Sequence, residues 1–157
     1  MTAAPVHVVP LAERPDLVPL VAAWQFSEWG HLHPGQTVAT RERRLRETLD
    51  ADRLPVTFVA LDASGGVAGT AALDLDDLEG DPRNPWLASV YVPPERRRGG
   101  IASALVRAVE RAAVRFGHRK LYLFTATVPG LYAGLGWRHV EVREYRGERI
   151  AVMERDL

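Results

Sequence analysis

Between the β-branched run Val90-Tyr91-Val92 and an apolar-striped segment starting at Ile101 lies a short basic turn, Pro93-Pro94-Glu95-Arg96-Arg97-Arg98-Gly99-Gly100. A strand that turns directly into a helix bares the first amides of that helix, which lack partners and carry partial positive charge. Such an end is an anion site. Gly99 and Gly100 remove the Cβ atoms that would keep a phosphate off the backbone, and the arginines add forked donors. A phosphorylated cofactor is the ligand this turn suits.

A second segment with chemical potential is Leu131-Tyr132-Ala133-Gly134-Leu135-Gly136-Trp137. By itself Tyr132 reads as a core aromatic on a short helix, and Gly136-Trp137 as a helix stop followed by a packing residue. The chain has no cysteine, hence no thiolate ligand, no disulfide and no cysteine nucleophile. His7, His118 and His139 fall in strand or turn contexts, and no histidine pair shows ligand spacing with a carboxylate, so no metal site is expected.

These segments need a scaffold, and 157 residues with 46% hydrophobic content are enough for a single domain over residues 1–157 with a real core. The formal net charge is zero, which argues against a nucleic-acid partner held by bulk charge. Of the 20 basic residues only Lys120 is a lysine, so the basic chemistry is arginine chemistry. No stretch approaches membrane-spanning length and the first residues carry no leader pattern, so a cytoplasmic protein with no membrane partner is expected.

Val6 to Val9 reads as an opening strand. Asp16 is placed to cap a helix carrying Leu17, Leu20, Val21, Trp24 and Trp29, with Pro19 in its first turn. Gly30 to Gly35 breaks the pattern, and a second helix follows from about Val38 to Asp50 with a thin stripe of Leu45 and Leu49. Its arginine-rich face is interrupted by glutamates and reads as solvated surface. Pro55–Asp62 and Val67–Leu75 form a hairpin around Ala63-Ser64-Gly65-Gly66. Then come an acidic loop, a strand Trp86–Val92, and the best-patterned helix, striped by Ile101, Leu105, Val109, Ala112 and Phe116 and stopped by Gly117. Leu121–Thr125, a short helix Gly130–Leu135, His139–Tyr145 and Ile150–Met153 complete the chain. Strand runs without strict helix alternation indicate α+β, with one parallel pair made by the crossover between Val92 and Leu121.

Arg97-Arg98-Gly99-Gly100-Ile101-Ala102 fits the pattern (Gln or Arg)-x-x-Gly-x-(Gly or Ala), and with the later Tyr132 segment and the element order it resembles the GNAT superfamily of acetyl-CoA-dependent N-acetyltransferases. The resemblance implies that fold: a mixed, mostly antiparallel sheet of about seven strands flanked by about four helices. It also implies that acetyl-CoA is the co-substrate. Its diphosphate would lie on the backbone of Arg97, Arg98, Gly99, Gly100, Ile101 and Ala102, with Ser103 one residue on, and its pantetheine arm along Val90, Tyr91 and Val92. An N–H near Val90 would stabilise the oxyanion, and Tyr132 would protonate the leaving thiolate. Thr125 and Thr127 match positions where a polar side chain meets the cofactor.

The sequence departs from the family in one respect. Members often carry a glutamate on the central strand to accept the amine proton, and Trp86–Val92 has no carboxylate. Glu28, Asp74, Asp76, His31 and His33 are the alternatives, with Glu28 on the helix that borders the acceptor site. Trp24, Phe26, Glu28, Trp29 and Trp86, with Asp74, Asp76, Asp77 and Glu79, would give the cleft an aromatic, acidic lining suited to a cationic amine. Trp24 by its spacing is core. The function implied is acetyl transfer to a primary amine of a small molecule. Acetylation of a protein N-terminus or lysine, and a non-catalytic acyl-CoA sensor, remain open, as does a homodimer.

Overall fold

The structure, a computed structural model, describes residues 5–157. Its seven strands are β1 (His7–Pro10), β2 (Val56–Leu61), β3 (Val67–Asp74), β4 (Trp86–Tyr91), β5 (Lys120–Thr125), β6 (Arg138–Tyr145) and β7 (Glu148–Asp156). They form one mixed sheet in the order β1-β2-β3-β4-β5-β7-β6. Four α-helices flank it: α1 (Val18–Trp29), α2 (Val38–Arg46), α3 (Ile101–Arg115) and α4 (Pro129–Gly134). The fold is α+β, as the run of elements implied, and β4–β5 is its parallel pair.

Period-two alternation in β2 sorts the core. Val56, Phe58 and Ala60 pack with the α3 stripe of Leu105, Val109 and Ala112, while Val59 packs with Val18, Val21 and Leu45 of α1 and α2 on the other face. A third cluster, Trp86 with Leu78, Ile150 and Val152, fills the region around β5 and β7. The helix α3 can lie close to the sheet because Gly69 of β3 has no side chain. A Cβ there would fall 3.0 Å from Leu105 Cδ1, 3.0 Å from the Tyr91 carbonyl and 3.2 Å from Ile101 Cγ2.

Several boundaries differ from the sequence reading. Asp16 does not cap α1; it sits in a preceding 3₁₀ turn, Pro15–Leu17, and pairs with Arg14 at 2.9 Å. The helix starts at Val18 with no side-chain cap, and Pro19 lies in its first turn. The second helix ends at Arg46 rather than Asp50, after starting from a capping box of Thr37 and Thr40. The last strand reaches from Glu148 to Asp156 because β6 pairs with its residues 148–154 and β5 with its residues 151–156. Arg, Glu and Asp at its ends hide this from a hydrophobicity pattern. Gly117 ends α3 as read, with Gly117 N–H donating to Val114 O and His118 N–H to Ala113 O, both at 2.9 Å.

Gly69→Ala forces either the Tyr91 carbonyl or the α3 side chains to move. Urea unfolding should register a loss of about 1–3 kcal/mol, as for other overpacked sites.

Candidate active site

The basic turn folds as a 3₁₀ turn, Pro94–Arg96, followed by two residues at positive φ, Arg98 (66°) and Gly100 (81°). Gly100 is the N-cap of α3, no side chain caps that end, and the first helical hydrogen bond runs from Ala104 N–H to Gly100 O at 3.0 Å. The amides of Ile101, Ala102 and Ser103 therefore have no helical acceptor. A Cβ at Gly100 would meet no protein atom within 4 Å, so its φ, not packing, is what calls for glycine. The three arginines divide. Arg96 donates to Asp62 Oδ2 at 3.0 Å, tying the turn to the β2–β3 hairpin, and Arg97 Nε donates to Val92 O at 2.8 Å with its guanidinium 6.0 Å from the Tyr91 ring centre. Arg98 is left exposed. The side chains of Val92 and Ile101 are buried, so each offers only its backbone to the turn.

β4 and β5 are in register at one position, Trp86 opposite Tyr122. On its other edge β4 is bulged: Thr70 and Ala72 of β3 stand opposite Tyr91 and Ala88, so two residues, Ser89 and Val90, face one. Ser89 adopts φ 54°, and the bulge takes the 89–90 backbone out of the β3 ladder.

Tyr132 faces this gap from α4. It is 6% exposed, packs edge-on against Trp137 at 6.3 Å, and among the described residues no protein group hydrogen-bonds its hydroxyl. Burial pushes its phenol up to about 12. α4 is fixed from behind. Trp137 Nε1 donates to buried Glu110 on α3 at 3.2 Å, while Arg107 and Arg155 donate to Leu135 O at 3.1 and 2.9 Å. Thr125 lines the same cleft, but its hydroxyl accepts from the amides of Thr127 and Val128 at 3.3 and 3.2 Å, so it also shapes the entry to α4.

The far end of the cleft lies between the α1–α2 connection, the end of β3 and the β6–β7 turn. Glu28, His31, His33, Asp74, Asp76 and Asp77 all reach it. Glu28 is exposed on the last turn of α1. Burial raises Asp74 to about 6, with Arg41 and Arg44 opposing, and Asp77 to about 8, with Asp74 adding to the rise. Burial and the nearby Arg146 lower His33. Trp29 lies edge-on to Tyr91 at 6.4 Å, and Trp24, half-buried rather than core, meets the same ring at a 41° tilt with centroids 5.4 Å apart. Trp86 is not in the lining; it is fully buried beside Ile150 because its indole faces the third core cluster. Glu79 is taken up by an ion pair with Arg146.

Charged cleft residues missed by the sequence reading include Arg41, Arg44, Arg146 and Glu148. Arg41 and Arg44 belong to the run read as solvated surface. Arg43 and Arg46 do face solvent, whereas Arg41 turns inward and donates to Gln25 Oε1 at 2.7 Å. The usable signal was the buried Gln25 on the inner face of α1. Together the cofactor turn, the bulge, Tyr132 and the far end enclose one cleft of about 760 Å³. Among the described residues no cluster of His, Cys, Asp or Glu is placed to hold a metal ion, and no helix is long and apolar enough to cross a membrane.

The sequence profile of the acetyltransferase (GNAT) family matches residues 19–136, well over half the chain. The chain belongs to that family, whose members are acetyl-CoA-dependent N-acetyltransferases. No curated protein matches it in sequence. Among solved structures it is similar to spermidine N-acetyltransferase from Vibrio cholerae in complex with CoA and spermine, with TM-score 0.73, 19% identity, and 96% of this chain and 95% of that one covered. An N-acetyltransferase from Staphylococcus aureus Mu50 superposes with TM-score 0.72 at 19% identity, covering 98% and 99%. The NatC complex bound to Gag peptide and CoA gives 0.71 at 16% identity, covering 100% and 99%. Likeness at these identities establishes the shared fold.

Asp77 holds a proton in the folded protein at pH values where an unfolded aspartate has lost it. The folded state then binds more protons, so stability should fall as pH rises from about 4 toward 8 and level off above. Asp77→Asn should flatten that slope in urea titrations taken at each pH.

Proposed function

We propose that this chain moves an acetyl group from acetyl-CoA to the neutral primary amine of a small molecule, directly and without a covalent enzyme intermediate. The observation that carries this is the one cleft through the β4–β5 gap, with bare α3 amides at one end and carboxylates at the other. The residues fit acetyl-CoA: the end of α3 is uncapped, and nothing from the protein stands over Gly100. When bound, acetyl-CoA supplies an activated thioester. The backbone of Arg97 to Ala102, with Ser103 and the free Arg98 side chain, receives the diphosphate. The edge of Val90, Tyr91 and Val92, which has no β5 partner, receives the pantetheine arm, and Thr125 borders the same arm.

Catalysis by this chain then rests on three groups. The Val90 N–H, freed by the bulge, donates to the carbonyl oxygen as it gains negative charge. Tyr132 donates a hydrogen bond to the departing sulfur. Raised to about 12, the phenol is a much weaker acid than a thiol of ordinary pKa ~8.5, so it stays protonated rather than giving up its proton outright. Asp74, raised to about 6, is the carboxylate best matched to taking the amine proton near neutrality. Glu28, exposed at the mouth, draws the ammonium in and serves as the second candidate for that proton.

The small-molecule acceptor is favoured over a polypeptide by contacts across the far end. Arg146 of the β6–β7 turn donates to Leu32 O at 2.7 Å and pairs with Glu79, and His31 meets Glu148 at 3.2 Å. The Arg146–Leu32 and His31–Glu148 contacts tie the α1–α2 connection to the β6–β7 turn, between which an extended chain would have to lie, and the Glu79 pair holds the same turn to the β3–β4 loop. A catalytic domain spanning residues 1–157 and working in the cytoplasm completes this reading.

Free-thiol release with an amine panel tests the activity, and its absence in protein that binds acetyl-CoA would leave the sensor reading. Tyr132→Phe should lower kcat about 10–100-fold, since one positioned donor to developing charge is lost. Because Asp74 must be ionised to act, kcat/KM should rise with pH through about 6. Asp74→Asn should abolish that limb, and an unchanged profile would remove Asp74 from the mechanism.

A further inference from the structure

Arg41 is a cation that folding turns away from solvent without giving it a counter-ion. Its Nε donates to Gln25 Oε1 at 2.7 Å, and Gln25 is itself only 2% exposed. Nη2 reaches Ser89 Oγ at 3.5 Å. Among the described residues no carboxylate oxygen lies within 4.0 Å of the Arg41 or Arg44 guanidinium, whereas Arg83, Arg96, Arg107 and Arg146 each hold one. Arg44, one turn further along α2, opens onto the same cleft. Burial and Arg44 both disfavour the charge on Arg41, and the more distant Asp74 and Asp77 only partly offset them. A desolvated guanidinium in a fixed pose, with forked donors still free, suits a planar anion.

We propose that Arg41, assisted by Arg44, is the subsite for a carboxylate on the acceptor, so that the acceptor is a small amino acid rather than a plain amine or a polyamine. This rests on the acetyl-transfer reading. Arg41 touches the side chain of Ser89, and the next residue supplies the Val90 amide at which the acyl oxygen is held. The carboxylate therefore sits within a few bonds of the reacting nitrogen, as it does in an α-amino acid. The two signs in the cleft divide the acceptor between them. Asp74 takes the proton lost by the ammonium, the N–C bond forms as the C–S bond breaks, and the electron pair that leaves on sulfur takes up the second proton shed by the nitrogen, giving the free thiol and the amide. A polyamine would instead bring a second positive charge toward two unpaired arginines, a like-charge contact that works against binding.

The test compares wild-type kcat/KM, by thiol release, for methionine and phenylalanine against their decarboxylated amines 3-(methylthio)propylamine and phenethylamine, with spermidine and an acidic N-terminal peptide alongside. The amino acids should lead their matched amines by about tenfold or more, and Arg41→Gln should collapse that ratio toward one, as loss of a charge-assisted hydrogen-bond pair would. A thermal shift with acetyl-CoA checks that the variant is folded. If it is not, the wild-type ratio decides by itself. Equal or better turnover of the decarboxylated amines, of spermidine or of the peptide overturns the carboxylate subsite while acetyl transfer stands. A ratio that survives in Arg41→Gln removes Arg41 from the subsite. Thiol release from none of the acceptors overturns the acetyl-transfer reading and the subsite with it.

Discussion

The parting of β4 from β5 is the constraint on which the rest depends. Two parallel strands in mid-sheet would normally satisfy each other's backbone groups, yet these are in register only where Trp86 faces Tyr122. Beyond that pair each strand is held by its outer neighbour alone: β4 by β3 through a bulge, β5 by β7 along its whole length. The gap survives because those neighbours, the α3 stripe and the third core cluster are anchored independently of it. It leaves polar backbone facing a cavity inside an otherwise well-paired sheet. It also lets groups from both faces, the start of α3 and the α1–α2 loop, open onto one space.

The far end of that space is built by electrostatic compromise. Asp74 and Asp77 lose ionisation to burial, while Arg41 cannot give up its proton and is strained in the opposite sense. Neither sign is neutralised by direct contact between the two sets. The acidic lining read from the sequence was therefore half of the picture, and the inward-turned Arg41, with the exposed Arg44 at the cleft's edge, supplies the other half.

What could be read from the sequence follows from how local each signal is. The basic turn, the Tyr132 segment and the α3 stripe are each encoded within a few residues, and so were the hairpin and the α+β order. The true length of β7 was not, because its charged ends, Glu148-Arg149 and Arg155-Asp156, are held by backbone pairing to one neighbour each rather than by burial. Asp16 carried the right cap chemistry, but its neighbour Arg14 claimed the carboxylate. Trp86 and Arg41 exchanged their assumed places: the indole went to the core and the guanidinium to the cleft. Both outcomes depend on which face of an element meets a partner distant in sequence, and no local pattern specifies that.

The contacts that close the far end are of a particular kind. Arg146, Glu79 and His31 are exposed, and bonds among exposed charged groups are weak and screened by salt. The contacts across the far end are thus ones that water and salt can undo, while the β6–β7 ladder that carries Arg146 and Glu148 is held by backbone pairing. Ionic strength, which leaves the strand pairing beneath them untouched, therefore governs how firmly the far end is tied across.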